Sequence, residues 1–378
     1  MKRSNMKQVL GFALVATLFA FAGCGKTSSG NAALPQAPYV IALSQPAGSG
    51  VPGSLYALSP TQGTVQKMDL NVGLIPNSML LDGDSLYVVN AGDATVSVIT
   101  ITESTSTIYI RNKGLISFTT TGFPEYITVT TAAGVEKGYV SLNGTNQVAV
   151  LNMTNDTVMR YVDIKPYSKT WAPGFEAHPW GLAAVNGKIM VANNGAQYLS
   201  TPPYAQYASP GMVSVITPAT DAVSEVTTTT GINLQAVEPL TQTGFVVISA
   251  DGYNSTINGY AELFDNGFRE TGAVQLSGSG AAIAISSSTG MGYVASGSMV
   301  GYDEIDTNTG TFVTTTDLSK QVSGLTGYNL TSIKFAPDGT LWATDWQDNM
   351  VFEIDPSSNT VIQTFKLPEP AQDVVFVY

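Results

Sequence analysis

The 378-residue chain contains a single cysteine, Cys24, and a single histidine, His178. One cysteine cannot form a disulfide within the chain, and no C-x-x-C-H motif for attaching a c-type haem is present. One histidine excludes metal sites and acid–base schemes that need several histidines. Any function must therefore use other residue types.

Charged residues are also scarce, at 12% of the chain, and basic ones are the rarer kind, with 16 Lys and Arg against 28 Asp and Glu. The formal net charge of −12 opposes the binding of polyanions. We therefore do not expect nucleic acid as a partner.

The chain lacks an apolar run long enough for a comfortable membrane span, which needs roughly 20 residues. Residues 9–22 are apolar, follow the basic residues Lys2, Arg3 and Lys7, and are followed by a small-residue site. This order is typical of a secretory signal peptide, which we predict over residues 1–23. A short transmembrane anchor is the alternative.

Residues 21–24, Phe-Ala-Gly-Cys, resemble the lipobox of bacterial lipoproteins, with Phe21 where Leu is usual. The resemblance implies cleavage before Cys24 and a lipid on its sulfur, with more than one acyl chain for stable anchoring. Gly25 follows, so the Asp of the inner-membrane retention signal is missing. We predict export and a lipid anchor in the cell envelope, at the outer membrane if the cell is Gram-negative. Residues 24–38, rich in Ser, Gly, Ala and Pro, predict a flexible tether.

What the chain has in abundance is a short repeat: a large apolar residue, small apolar residues, then often Asn, Ser or Asp. A strand and turn precede each copy, and two further strands follow it. Four short strands per repeat of roughly 50 residues are typical of a propeller blade. The seven copies begin at Tyr39, Tyr87, Tyr139, Met190, Val246, Tyr293 and Trp342.

The two ends of the repeat region complement each other. Tyr39 begins a second strand with no first strand before it, and residues 373–377 match a first strand with nothing after it. Joining them would complete one blade and remove two exposed sheet edges. We therefore predict an all-β, seven-bladed β-propeller over residues 39–378, with four-stranded antiparallel blades and a ring closed by the C-terminal strand.

The segments Tyr87-Val88-Val89-Asn90 and Val96-Ser97-Val98-Ile99 resemble the YVTN repeats of bacterial and archaeal seven-bladed, YncE-like propellers. The resemblance covers residues 39–378. Such repeats occur in surface-layer-like, periplasmic and lactonase-like proteins, so the resemblance implies the fold and leaves the function open. Three functions remain: a non-catalytic binding protein, a lactonase-like enzyme and a structural surface-layer component.

Long aromatic loops are predicted on one face of the ring, in neighbouring blades: residues 165–179, 194–211 and 251–259. Long loops in a compact domain are usually functional or disordered, and disordered loops are poor in aromatic residues. Aromatic side chains with a polar end suit an envelope protein or a glycan as partner. The predicted binding residues, including two from a further loop of this kind, are Trp171, Phe175, His178, Trp180, Tyr198, Tyr204, Tyr207, Tyr253, Asp345 and Trp346.

Structural explanations compete with this prediction. The aromatic residues would then pack on one another over the channel mouth, His178 would be a packed histidine, and Asp345 would bond local backbone, as Asn90 and Asn193 would at equivalent positions. The lactonase-like alternative would instead use Asp345, Asn90 and Asn193 as metal ligands.

Residues 306–310, Asp-Thr-Asn-Thr-Gly, resemble the start of a calcium loop, but other repeats have an equivalent turn there and no Glu follows at the required spacing. We predict no cofactor and no catalytic residue, and we favour the non-catalytic binding function.

Overall fold

The structure is a computed structural model. It describes residues 31–35, 39–46, 48, 50–103, 107–119, 121–164, 171–201, 205–228, 230–241, 244–250, 258–327 and 329–377. The predicted signal peptide and Cys24 lie outside these ranges. Within them, no helix is both long and apolar enough to cross a bilayer.

Seven four-stranded antiparallel blades form the ring, as predicted. An edge strand, β1 (Asn31–Pro35), precedes them. Blade I contains β2 (Tyr39–Ser44), β3 (Pro52–Ser59) and β4 (Thr64–Leu74). Blade II contains β5 (Pro76–Asp82), β6 (Ser85–Asn90), β7 (Thr95–Glu103) and β8 (Thr107–Ser117). Blade III contains β9 (Pro124–Ala132), β10 (Val135–Leu142), β11 (Gln147–Asn152) and β12 (Thr157–Asp163).

The remaining strands follow the same order. Blade IV contains β13 (Pro179–Val185), β14 (Lys188–Asn193), β17 (Met212–Thr217) and β18 (Ala222–Thr227), with a hairpin of β15 (Ala196–Tyr198) and β16 (Ala205–Tyr207) inserted in it. Blade V contains β19 (Leu234–Pro239), β20 (Phe245–Ser249), β21 (Tyr260–Phe264) and β22 (Glu270–Gln275). Blade VI contains β23 (Gly280–Ile285), β24 (Met291–Ser296), β25 (Gly301–Asp306) and β26 (Thr311–Asp317). Blade VII contains β27 (Leu330–Phe335), β28 (Leu341–Asp345), β29 (Met350–Asp355) and β30 (Thr360–Lys366), and β31 (Ala371–Val377) follows it. Two short 3₁₀ helices occupy connections, at Asn143–Thr145 and Leu318–Lys320.

The C-terminal strand closes the ring. Strand β31 pairs antiparallel with β2, from Tyr39 opposite Val377 to Ser44 opposite Ala371, so the last residues supply the innermost strand of blade I. The predicted closure is confirmed. Each innermost strand contacts the innermost strands of both neighbouring blades, which makes a complete cycle around a central channel.

Strand β1 differs from the predicted tether, which included residues 31–35. It pairs with the outermost strand of blade II, from Asn31 opposite Arg111 to Pro35 opposite Thr107. Leu34 is only 1% exposed and packs in the core between blades I and II. This apolar anchor explains why the segment adds a fifth strand to blade II.

The Asn of the repeat bonds the second strand to the third. The Asn90 side-chain amide donates to Thr95 Oγ1 at 3.1 Å and to Ser97 Oγ at 3.0 Å. Asn193 does the same in blade IV, donating to Met212 O at 3.0 Å and Ser214 Oγ at 2.9 Å. Both are fully buried, so these residues hold the blades together.

The Tyr of the repeat joins one blade to the next. The Tyr87 hydroxyl donates to Asp156 Oδ1 at 3.0 Å, and the Tyr139 hydroxyl donates to Asp221 Oδ1 at 3.2 Å. Both aspartates have positive φ and lie in turns between the third and fourth strands of the following blade. Arg160 lies 2.5 Å from Asp221 Oδ2, so the second bond ends on a paired carboxylate.

We expect Tyr139→Phe to lower the free energy of unfolding by about 1–2 kcal/mol, because it removes one donor to a buried carboxylate. Urea denaturation of the variant and the wild type measures the change. Tyr109→Phe is the matched control, because Tyr109 is 40% exposed on the outer strand of blade II. Equal losses in the two variants would contradict the inter-blade role of the Tyr139 hydroxyl.

Candidate functional site

Every innermost strand carries one β-bulge near its start. In β5, for example, Pro76 lies opposite Asn90 and Ser78 lies opposite Val89, which leaves Asn77 as the extra residue. The same one-residue excess occurs in β9, β13, β19, β23, β27 and β31. These strands begin on the face that carries the fourth-to-first and second-to-third connections, here called the upper face. Bulges re-aim side chains at the rims of closed sheets, so this face has a ring of seven redirected positions.

The second residue of each innermost strand lies at this bulge. We call these seven residues the channel ring: Asn77, Glu125, Trp180, Gln235, Ala281, Thr331 and Gln372. Six are partly exposed and Glu125 is buried, whereas the first residue of each of these strands is buried. The ring has no Lys or Arg, and amides and a hydroxyl make up most of its polar groups.

Hydrogen bonds connect the channel ring across four successive blades. Thr331 Oγ1 donates to Ala371 O at 3.1 Å, and Gln372 Nε2 donates to Asn77 O at 3.3 Å. The Asn77 amide then donates to the Glu125 carboxyl group. The side chains from blade VII through blade I and blade II to blade III are therefore held in place before any ligand arrives.

Glu125 is the only ionisable residue of the ring. Its side chain is 5% exposed. Burial raises the pKa of its carboxyl group to about 8, and the hydrogen bond from Asn77 opposes this shift only in part. Glu125 is therefore protonated at neutral pH and can both donate and accept hydrogen bonds.

Two further groups line the channel beside the ring. The Trp180 side chain hydrogen-bonds the Tyr126 hydroxyl, and burial is the main cause that raises the pKa of Tyr126. Asp373 lies 2.7 Å from Lys334 Nζ and accepts hydrogen bonds from Ser332 Oγ at 2.7 Å and from Met79 N at 2.8 Å. Its charge is thus balanced within blades VII, I and II.

Glu238 faces this ion pair from blade V. Its residue surface is partly accessible. Burial raises the pKa of Glu238 to about 7, and the charge of Lys334 acts in the opposite direction. The channel therefore contains two carboxyl groups, Glu125 and Glu238, that titrate near neutral pH.

The long loops of blade IV form a second feature of the upper face, here called the loop cluster and defined as the described parts of residues 171–178 and 194–211. Trp171 is nearly buried against Ala208, Met212 and Phe175, and its indole N–H donates to Pro210 O at 2.8 Å. Glu176 N donates to Ala196 O at 2.9 Å, which fastens the β15–β16 hairpin to the preceding loop. Trp171 and Phe175 therefore support the hairpin.

His178 and Tyr198 meet at the surface of the loop cluster. Their rings make an edge contact with centroids 4.8 Å apart. His178 is buried, its Nδ1 lies 3.0 Å from Asn143 O, and burial is the main cause that lowers its pKa. Tyr198 is 60% exposed. The histidine is thus a packed support for an exposed tyrosine.

The other predicted binding residues are dispersed. Tyr207 is partly exposed on β16, and Trp346 is partly exposed in the turn after β28. Tyr204 and Tyr253 lie outside the described residues. Asp345 is fully buried, and its Oδ1 accepts hydrogen bonds from Gln347 N at 2.9 Å and Asp348 N at 3.1 Å, so it bonds local backbone.

The ligand set of the lactonase-like alternative does not come together. Asp345, Asn90 and Asn193 are buried in three different blades, VII, II and IV. Among the residues that the structure describes, no three His, Cys, Asp or Glu side chains are placed to share a metal ion.

Most of the channel ring was missed by sequence reasoning, which included only Trp180. A signal exists, because a buried Pro, Leu, Gly or Ala begins each innermost strand and the ring residue comes next, as in Pro76-Asn77 and Pro124-Glu125. The bulge itself leaves no mark in the period-2 pattern of one strand, because it is defined by the register against the partner strand.

Comparisons with known proteins support the fold. No protein-family model and no curated protein matches the chain. A putative 6-phosphogluconolactonase from Bacteroides uniformis is similar in structure, with a TM-score of 0.66, 13% identity, and 90% of this chain and 100% of that chain covered. The periplasmic gluconolactonase of Pseudomonas aeruginosa has a TM-score of 0.64 at 13% identity, covering 90% of this chain and 99% of that one. Virginiamycin B lyase from Staphylococcus aureus has a TM-score of 0.56 at 12% identity, covering 78% of this chain and 84% of that chain. At these identities the likeness establishes the propeller, and the YVTN-repeat family stays a prediction.

We expect Glu125→Gln to flatten the dependence of stability on pH between about 4.5 and 8. The folded-state pKa of Glu125 is raised, so its favourable contribution is complete below pH 4.5 and is lost as the pH rises to about 8. The free energy of unfolding of the wild type should fall by up to a few kcal/mol across this window, and that of the variant should fall much less. Urea denaturation at several pH values measures both.

Glu238→Gln is the matched control for this prediction. The substitution should change the pH dependence of the free energy of unfolding only up to about pH 7, because the pKa of Glu238 is raised only to about 7. Tyr126, Asp373 and Lys334 are unchanged in both variants, so differences report on the substituted carboxyl group. A Glu125→Gln curve parallel to that of the wild type would show that Glu125 is ionised in the folded protein.

Proposed function

We propose that this protein is an exported, lipid-anchored propeller of the bacterial cell envelope that binds another envelope protein through the loop cluster, without catalysis. The proposal combines the lipobox-like sequence at Cys24 with the hairpin inserted in blade IV. The observation that carries it is Tyr198, which is 60% exposed on a hairpin supported by Trp171 and His178.

The shape and chemistry of the hairpin favour a protein partner. Small-molecule sites are concave, whereas β15 and β16 project from a connection between two strands. The hairpin presents Tyr198 and Tyr207, together with Gln197 and Gln206, which pair across it. Tyrosine provides a large contact area with few rotatable bonds and is enriched in protein interfaces.

The place where β1 begins is compatible with an anchor that leaves this surface free. Asn31 lies on the outer edge of blade II, opposite Arg111 of β8. The loop cluster belongs to blade IV and the upper face. With Cys24 bound to the membrane, residues 24–30 would tether the rim of the ring, and the hairpin would remain accessible.

Site-specific photocrosslinking tests this proposal. With p-benzoylphenylalanine in place of Tyr198, irradiated cells should give one discrete adduct in which mass spectrometry finds peptides of a second protein, because this position would lie within the interface. The same substitution at Tyr109, an exposed tyrosine on the outer strand of blade II, is the control. Identical adducts at both positions, or no adduct at position 198, would refute the proposal. An adduct that contains no peptides of a second protein and loses its added mass on glycosidase treatment would also refute it, in favour of a glycan partner.

A lactonase-like hydrolase is the second candidate function. It is favoured by the two carboxyl groups of the channel with raised pKa, Glu125 and Glu238, since groups that titrate near neutral pH suit acid–base catalysis. In such a reaction, water adds to the lactone carbonyl, the ring C–O bond breaks, and a hydroxy acid is released.

Hydrolysis of δ-gluconolactone, followed by acid release, tests this candidate. If it is correct, Glu125→Gln and Glu238→Gln should each lower kcat by about 100-fold or more, the usual contribution of general acid–base catalysis. Hydrolysis at the uncatalysed rate in the wild type would eliminate gluconolactone as a substrate and leave the binding function favoured.

A further inference from the structure

The channel ring is asymmetric in its chemistry. Five successive blades, I to V, contribute Gln372, Asn77, Glu125, Trp180 and Gln235. Blades VI and VII contribute only Ala281 and Thr331. The ring residues of blades VI and VII are thus small, and those of blades I to V are larger polar or aromatic residues.

The polar members of the ring present hydrogen-bond donors and acceptors without net charge. Asn and Gln each carry two N–H donors and a carbonyl acceptor, and protonated Glu125 has both kinds of group. Asn77 already donates to Glu125, and Gln235 Nε2 donates to Asn233 O at 3.2 Å and to Asn233 Oδ1 at 2.8 Å, so the carbonyl oxygen of Gln235 is the part of its amide open to a ligand. A ligand for these residues must itself donate and accept hydrogen bonds at several points. Hydroxyl groups do both.

Trp180 adds a flat apolar surface to this polar set. Its side chain is partly exposed, and its hydrogen bond to the Tyr126 hydroxyl fixes the orientation of the indole ring. A sugar ring has apolar C–H faces and hydroxyl groups at its edge. The Trp face can contact the C–H groups, and the neighbouring amides can bond the hydroxyl groups.

We propose that the channel ring is a binding site for a neutral carbohydrate of mono- or disaccharide size, which stacks on Trp180 and hydrogen-bonds Asn77, Glu125 and Gln235. The site lies on the innermost strands and is separate from the hairpin that carries the proposed protein interface. Either proposal can therefore be correct without the other.

The charges of the channel disfavour ionic ligands. The ring itself has no basic residue to hold an anion, and the nearby Lys334 is paired with Asp373 at 2.7 Å. A cation would need an ionised carboxylate. The raised pKa of Glu125, about 8, favours its neutral form at pH 7, Asp373 is already balanced by Lys334, and Glu238, with a pKa of about 7, interacts with the same Lys334 charge.

Isothermal titration calorimetry on the full-length protein tests the proposal, in a detergent without a sugar head group so that the detergent does not compete. The probes are glucose, galactose, N-acetylglucosamine, maltose and lactose, with gluconate and glucosamine as charged analogues. We expect saturable binding of at least one neutral sugar, and weaker binding of both charged analogues.

Variants locate the binding site. Trp180→Ala should weaken binding by about 10-fold or more, Trp180→Phe should weaken it less, and Gln235→Ala should weaken it by a few-fold. Tyr109→Phe is the control and should leave the affinity unchanged, because Tyr109 is 40% exposed on β8 of blade II, away from the upper face. Near-UV circular dichroism confirms that each variant is folded, and Trp180→Phe and Gln235→Ala keep the test valid if Trp180→Ala does not fold.

Three results would overturn the proposal. The first is no saturable binding of any neutral sugar by the wild type at millimolar concentrations. The second is tighter binding of gluconate or glucosamine than of the neutral sugars. The third is unchanged affinity in folded Trp180 and Gln235 variants, which would place a sugar site elsewhere on the protein.

Discussion

The pairing of β31 with β2 is the constraint on which the rest of the structure depends. This contact joins residues separated by the length of the ring, from Tyr39 opposite Val377 to Ser44 opposite Ala371. It gives every innermost strand two neighbours and leaves no unpaired inner edge. It also brings Asp373 beside Lys334 of blade VII and Met79 of blade II, so the closing strand supplies the carboxylate that connects three blades.

Closure has a chemical consequence for the channel. Seven strands that tilt around one axis bring their first residues together, and the repeated bulge turns one side chain per blade toward the opening. Glu125 is buried among these strands, and burial raises the pKa of its carboxyl group to about 8, which favours the protonated form at neutral pH. The channel ring therefore carries little net charge at neutral pH, although the chain as a whole is strongly acidic.

The aromatic residues of the upper face divide into two kinds by their neighbours. Trp171 and Phe175 pack together, as the capping alternative supposed, and His178 is held by Asn143 and Asn146. Tyr198, by contrast, projects into solvent from the hairpin that these residues support. Packing of some aromatic residues is thus compatible with the proposed binding, because the buried ones stabilise the surface that is exposed.

The sequence by itself determined the number of blades, their four strands and the closure, because alternation and turn residues are local signals repeated seven times. It also indicated the long loops of blade IV, since an insertion interrupts the repeat. Only the tertiary structure decided which residues line the channel, because a bulge depends on the register between two strands. Burial was decided there as well: Leu34 of the expected tether is in the core between blades I and II, because neighbours distant in sequence determine what each side chain contacts.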